Sequence, residues 1–331
     1  MITKLSKWAI LMLALIFAAG CLDSDDDDDD DGIGDLGQAQ EPAELGTSDD
    51  VAEVAAGLDD LDAGGFAGTT DPGGELPSQM DVQGMLETGA ITAAQPLMDD
   101  HDRDDEVCME GSFEETEVEP GVTEASYDNC MVFFFTLNGD IRIAEEGDNA
   151  ERITYGDGDT PFTMSLEDFE EDSDDSFTIS FLGEMFTQDP VPAGDAPENW
   201  GSTAYTNLDY EFDYDVEADG ESFWIRSFTD DLDIYEDDNY TRIDGKYGMD
   251  SSVDCGAGSV EVETLEDLYQ PMGAPGWVDG TVEFSNELGQ TATVEFLQDE
   301  EVRITTDDGE QETLNLTEFS AICEFEEEDD F

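Results

Sequence analysis

The residues best able to do chemistry in this chain are its acids, since 90 of its 331 residues are Asp or Glu. A Ser-His-Asp or Cys-His arrangement needs a histidine as base, and the sole histidine, His101, lies between two aspartates. Zinc hydrolases take two or three such ligands. The sequence contains neither a Gly-x-Ser-x-Gly elbow nor a glycine-rich phosphate loop. We therefore interpret His101 as a solvated residue.

Carboxylate pairs are the remaining catalytic option, because two acids flank the bond that a glycosidase cuts. With 90 acids in the chain, the presence of a suitable pair carries no information. We therefore predict that the protein is not an enzyme, with a glycoside hydrolase-like activity as the alternative.

Alternating aspartates near the amino terminus indicate a calcium site. Asp27, Asp29 and Asp31 precede a glycine turn that is followed by Asp35. This pattern resembles the Asp-x-Asp-x-Asp-Gly loops of thrombospondin type 3 repeats, which implies these four residues as ligands of calcium, the one cofactor we consider. Calcium takes several oxygen ligands. Gln38 stands where a bidentate glutamate would complete the loop, so we favour an acidic spacer and no cofactor, with a calcium site as the alternative.

The first residues are typical of an export signal. Lys4 and Lys7 precede an apolar run at 8–17, and three small residues lead directly to Cys21. The run is shorter than the ~20 residues that a spanning helix needs. We predict that residues 1–20 are a signal peptide.

This segment resembles bacterial lipoprotein signal peptides, although Ala18 replaces the usual leucine. The resemblance implies lipidation of Cys21 and a membrane anchor of more than one acyl chain, which makes anchoring stable. Leu22, rather than Asp, follows the cysteine and implies the outer membrane, with the periplasmic or surface face open. The alternative is an ordinary secretory signal whose Cys21 enters a disulfide.

The charge of the chain predicts its partners. Loss of Lys4 and Lys7 leaves seven cationic residues against 90 acids, a net charge of −83. Such a field repels nucleic acid and anionic lipid, so cations are the expected partners, with no particular protein or glycan indicated. Abundant aromatic residues still supply a core, and concentrated salt would screen the repulsion. We predict a halophilic or marine protein, with a mesophilic acidic surface protein as the alternative.

A period of two predicts strands from about Val107 onward. In residues 210–217, apolar side chains alternate with acids. We predict a mostly β, antiparallel, hairpin-built domain, sandwich or barrel-like. Asx-Gly steps between such runs favour hairpin turns. These steps are Asn138-Gly139, Asp219-Gly220, Asp244-Gly245, Asp279-Gly280 and Asp308-Gly309.

The region before the strands divides into two segments. Residues 21–47 are predicted to be an acidic, disordered tether. Residues 48–105 are predicted to be loosely structured, with one short helix that begins at Ser48 and ends by Gly64. Its apolar positions have helical spacing: Val51, Val54, Leu58 and Leu61.

The strands themselves divide into two related modules, 106–189 and 200–331, on either side of a proline-containing segment. Residues 108–114 and 255–261 share a Cys-x-x-Gly-Ser pattern followed by an apolar residue and Glu, which suggests duplication. A long loop within one sheet domain is the alternative.

Four cysteines remain if Cys21 is lipidated, an even number for an oxidising compartment. Three pairings are possible, and we favour Cys108–Cys130 with Cys255–Cys323 because each bridge then stays within one module. A zinc site is disfavoured, since no Cys-x-x-Cys pair occurs.

The motifs around the first pair resemble those of β-rich lipoproteins and exported proteins of proteobacteria that have no assigned function. The resemblance implies a fold and a location but no activity. It depends on Cys108-x-x-Gly111-Ser112, Tyr127-Asp128-Asn129-Cys130 and Leu137-Asn138-Gly139.

Overall fold

A computed structural model describes most of the chain from Gly37 onward. The described residues are 37–61, 108–132, 135–147, 149–167, 176–192, 194, 196–197, 200–218, 221–237, 239–252, 257–271, 277–298, 301–315 and 319. They form one antiparallel sheet of 14 strands and one short α-helix, which confirms the predicted mostly β fold.

The helices and strands follow in chain order. A 3-10 turn at Gly37–Gln40 precedes the helix α1, Ser48–Leu61. The strands are β1 Glu110–Glu119, β2 Val122–Val132, β3 Phe135–Glu145, β4 Ala150–Tyr155, β5 Phe162–Glu167, β6 Ser176–Gln188, β7 Ala204–Ala218, β8 Glu221–Glu236, β9 Tyr240–Ser251, β10 Gly258–Tyr269, β11 Asp279–Ser285, β12 Thr291–Leu297, β13 Glu301–Thr306 and β14 Gln311–Asn315.

The strand order almost repeats the sequence order. Neighbours in the chain are neighbours in the sheet, except that β4 and β5 both lie between β3 and β6. Strands β6 and β7, on the two sides of the proline-containing segment, pair from Ser176 opposite Glu217 to Gln188 opposite Tyr205. This segment is therefore a long connection between neighbours in one sheet.

Each strand has a core face and an outer face because side chains alternate along it. In β7, Leu208, Tyr210 and Phe212 are buried, while Asp209 and Glu211 on the outer face are not. Rings pack together on the core face, with the Phe181 and Phe212 centroids 5.1 Å apart. The alternation predicted for residues 210–217 thus places aromatic rings on the core face and acids on the outer face, although Asp213 is itself buried.

Most of the predicted Asx-Gly turns are wrong. Asn138-Gly139 lies within β3, Asp244-Gly245 lies within β9, and Asp279-Gly280 begins β11. Asp308-Gly309 does connect β13 to β14, while Asp219-Gly220 lies outside the described residues. The glycines of these three steps have φ values of +98° to +134° and lie against backbone atoms of neighbouring segments, where a Cβ would clash. Their role is therefore close strand approach rather than chain reversal.

Residues 37–47, the last eleven of the predicted tether, pack against the sheet and are not a tether. Ala39, Ala43 and Leu45 are buried, and the Ala43 N–H donates to the Ser259 carbonyl at 3.0 Å. The earlier part of the predicted tether lies outside the described residues. We call residues 37–61 the amino-terminal strap.

The predicted short helix is confirmed as α1, and its N-cap is Thr47. The Thr47 hydroxyl accepts from the Asp50 N–H at 3.2 Å, and the Asp50 carboxylate accepts from the Thr47 N–H at 2.9 Å. Ser48 instead donates to Glu312 at 2.5 Å. Within the described chain, no helix has the length and apolar character needed to cross a membrane.

Candidate functional site

The predicted site residues have different outcomes. The disulfide between Cys108 and Cys130 is present and ties the start of β1 to β2, as predicted. The others lie outside the described residues and stay predictions: Cys21, Asp27, Asp29, Asp31, Asp35, Cys255 and Cys323, together with His101.

A row of large side chains crosses the outer face of four consecutive strands. Phe186, Tyr205, Tyr235 and Arg242 come from β6, β7, β8 and β9, and all four are half-buried. The rings of Tyr205 and Tyr235, which are directly opposite in the register, have centroids 4.7 Å apart. Phe186 adds a ring 5.8 Å from Tyr205, and Arg242 lies opposite Tyr235. We call these four residues the aromatic row.

A second row on the same four strands consists of acids: Glu184, Asp209, Asp233 and Asp244. Glu184 lies directly opposite Asp209, and Asp233 lies directly opposite Asp244. Like charges in direct opposition destabilise a sheet. We call these four residues the acid row.

The electrostatics of the acid row reflect this crowding. Partial burial, with the charges of Asp230, Glu184 and Asp231, raises the pKa of Asp209. Burial likewise raises the pKa of Asp244, although the Thr264 N–H and Arg242 oppose the shift. Both carboxyls thus resist ionisation, chiefly because burial disfavours the charged form.

A bulge in β8 brings one more acid beside Asp233. Asp231 has φ +53°, and the register shifts between Asp230 and Asp233. The Asn207 side-chain amide therefore donates to the Oδ1 atoms of both Asp231, at 3.0 Å, and Asp233, at 2.9 Å.

Tyr205 completes this arrangement, because its hydroxyl donates to the same Oδ1 of Asp233 at 2.5 Å. Burial and this carboxylate raise the pKa of Tyr205, so the hydroxyl stays a neutral donor. We call Tyr205, Asn207, Asp231, Asp233 and Tyr235 the double-carboxylate site. It holds two negative charges with neutral donors and an aromatic pair.

The outer face already shows how it holds a cation. Arg152 of β4 lies over the Phe186 ring, 5.1 Å from its centroid, and contacts Glu146 at 2.7 Å and Glu184 at 3.0 Å. A ring and carboxylates thus hold one guanidinium. The same combination recurs with Arg226, Trp224 and Asp213, and with Lys246, Phe228 and Glu287.

The double-carboxylate site has the same two components, a ring and carboxylates. No ion pair of the described residues includes Asp231 or Asp233. Arg242 nearby is engaged by Asp267, at 2.5 Å. In the described part of the chain, no group of three or more His, Cys, Asp or Glu side chains is arranged to hold a metal ion.

The sequence analysis missed the aromatic row, although a local signal exists. In β7, Tyr205 is out of phase with the buried Tyr210, and in β8 Tyr235 is out of phase with the buried Ile234. Large aromatic residues at the polar positions of an alternating strand thus mark an outer-face cluster.

Comparisons with protein-family models, with curated proteins and with solved structures gave no match for this chain.

Proposed function

We propose that this chain is a lipid-anchored protein of the cell envelope, attached to the outer membrane through Cys21, that binds a cationic partner with the outer face of β6 to β9. Its role is adhesion or binding rather than catalysis. The observation that carries the binding role is the double-carboxylate site. Asp231 and Asp233 accept from one Asn207 amide without a cation among the described residues.

The physical reason is that a bound cation would remove a standing penalty. Asp233 and Asp244 lie directly opposite each other in the sheet. Such pairs cost stability. Local arrangements that break a folding rule are expected mainly at functional sites. A partner cation would convert this repulsion into attraction.

Titration with hexalysine tests the binding role against net charge alone. In about 1 M sodium chloride, where the Debye length is about 3 Å, distant charges contribute little. We expect Asp231→Asn with Asp233→Asn to weaken binding about tenfold, since both amides keep an oxygen acceptor for Asn207 and Tyr205. The matched control is Glu115→Gln with Glu117→Gln on the exposed strand β1, which changes net charge equally. Equal losses in the two variants would reject a localised site.

The anchor is tested separately with Cys21→Ser. The thiol is the proposed lipid acceptor, so the variant should move from the membrane pellet to the soluble fraction of fractionated cells. Wild-type protein should stay in the pellet after a high-salt wash, which removes charge-held proteins. A variant that still sediments with membranes would contradict the proposed anchor.

A further inference from the structure

We infer that the partner group at the double-carboxylate site is the guanidinium of an arginine, carried by an extended segment of another protein. This inference rests on the proposed binding function and names its ligand. The surface concerned is the outer sheet face formed by the aromatic row and the acid row. Its charge complementarity is to a basic peptide, because two aspartates of β8 lie beside a pair of tyrosine rings.

The remaining acceptor atoms of the two aspartates favour a planar ligand group with several N–H donors over a compact charged group. Among the described residues, the hydrogen bonds to Asp231 and Asp233 all go to Oδ1, which leaves each Oδ2 for a ligand. A guanidinium is planar, carries five N–H donors and stacks on aromatic rings, whereas an ammonium is a compact charge. One guanidinium can therefore meet two carboxylates and a ring together.

Arg152 is an internal precedent for this geometry. Its single guanidinium bridges Glu146 and Glu184 while it lies over the ring of Phe186. The double-carboxylate site offers the same set, namely two carboxylates and an adjacent ring. The difference is that its guanidinium would come from another molecule.

The extent of the surface favours a peptide over free arginine. The two rows cross four strands, which at about 4.8 Å between neighbours spans roughly 14 Å. Residues two apart on an extended peptide repeat about every 7 Å, so the span fits more than one side chain. Asp209 would then take the next basic residue, since Arg152 already pairs with Glu184. Asp231 is exposed and thus reachable from solvent.

The test compares three peptides by isothermal titration calorimetry on the mature wild-type protein in about 1 M sodium chloride. They are Gly-Arg-Gly-Arg-Gly and its lysine and citrulline counterparts. Citrulline keeps the shape of arginine but lacks its charge. We expect the arginine peptide to bind about fivefold more tightly than the lysine peptide, because only guanidinium provides a planar fork. The citrulline peptide should not bind measurably.

Ring variants test the aromatic contribution without any change in charge. Tyr205→Leu with Tyr235→Leu should weaken arginine-peptide binding about tenfold, since two ring contacts are lost. Tyr205→Phe keeps the ring and should retain most of the affinity. Tyr240→Leu, at an exposed tyrosine elsewhere on the sheet, should bind as wild type does. Melting temperatures of all variants confirm folding.

The outcomes separate the two proposals. Equal binding of arginine and lysine peptides by wild type would overturn the arginine assignment, and this comparison needs no variant. If Asp231→Asn with Asp233→Asn still weakens hexalysine binding more than the β1 control does, the cation-binding function survives that result. If Asp231→Asn with Asp233→Asn weakens hexalysine binding no more than the β1 control does, both proposals fail.

Discussion

At the scale of single residues, the site depends on a glycine in the neighbouring strand. Gly245 lies opposite the β8 bulge and has φ +134°. A Cβ there would overlap the backbone of Asp231 and Leu232. The missing side chain therefore lets β9 approach the bulge that brings Asp231 beside Asp233.

Gly245→Ala should consequently lower the free energy of unfolding by more than the cost of a positive φ for alanine. A positive φ costs an alanine about 1 to 2 kcal/mol, and the clash with β8 should bring the total to about 3 kcal/mol or more. Gly147→Ala is the matched control, since it has φ +111° and nothing within 4 Å of the added Cβ. Urea unfolding of both variants measures the difference. Equal losses would mean that β8 and β9 do not pack closely at this position.

The charge of Asp209 gives a second prediction for a single residue. Its pKa is raised in the folded protein, mainly by burial and then by neighbouring acids. The native state therefore holds this proton more tightly than the unfolded chain does, and stability falls as pH rises through the raised pKa. Asp209→Asn removes this penalty at pH 7, where a gain of about 0.5 kcal/mol is expected for a largely exposed group.

This gain should shrink as pH falls toward the ordinary value of 3.8, because wild-type Asp209 is then neutral too. Urea unfolding at pH 7 and at about pH 4 tests the sign. A gain that is the same at both pH values would exclude ionisation of Asp209 as its source.

At the scale of helices and strands, periodicity in the sequence predicted the elements that depend mainly on local residue order. The spacing of Val51 and Val54 predicted α1, and alternation predicted β7. Asx-Gly steps failed at Gly139 and Gly245 because strand interiors and turns both use glycine, and only the neighbouring strand distinguishes them. The double-carboxylate site was not predictable for the same reason, since it depends on the register between β7 and β8.

The amino-terminal strap is hydrogen-bonded to residues that are distant from it in sequence. The Asn286 side chain donates to the Ala43 carbonyl at 2.7 Å, and the Tyr247 hydroxyl donates to the Val54 carbonyl inside α1. Both contacts lie more than 190 positions apart in sequence. The strap therefore fastens residues 37–61 to the folded sheet.

Tyr247→Phe should loosen the strap without disrupting the sheet, because it removes one buried hydrogen bond and keeps the ring. We expect a loss of about 1 kcal/mol. Relative to wild type, the rate of amide hydrogen exchange should increase more in residues 48–61 than in β6 to β8. The exposed Tyr240→Phe serves as control and should change neither quantity. Unchanged exchange in α1 would show that this bond does not hold the strap.

At the scale of the whole molecule, the acids far outnumber the cations that can neutralise them. Five of the six described cations pair with acids, namely Arg152, Arg226, Arg242, Lys246 and Arg303. The chain nevertheless keeps 90 acids, and its proposed mature form has a net charge of −83. Folding brings these charges closer together than the expanded chain does, so repulsion penalises the native state.

Salt should therefore stabilise the protein strongly. Raising potassium chloride from about 0.01 M to 1 M shortens the Debye length from about 30 Å to 3 Å, which removes most of the repulsion between exposed acids. The melting temperature should rise steeply over this range.

Calcium should add a separate effect if the proposed loop of Asp27, Asp29, Asp31 and Asp35 binds it, because binding to the native state alone shifts stability by mass action. At fixed ionic strength, millimolar calcium should then raise the melting temperature more than equal magnesium, and Asp29→Asn with Asp31→Asn should abolish the difference. A melting temperature indifferent to potassium chloride would reject the repulsion account, and equal responses to calcium and magnesium would reject the calcium loop.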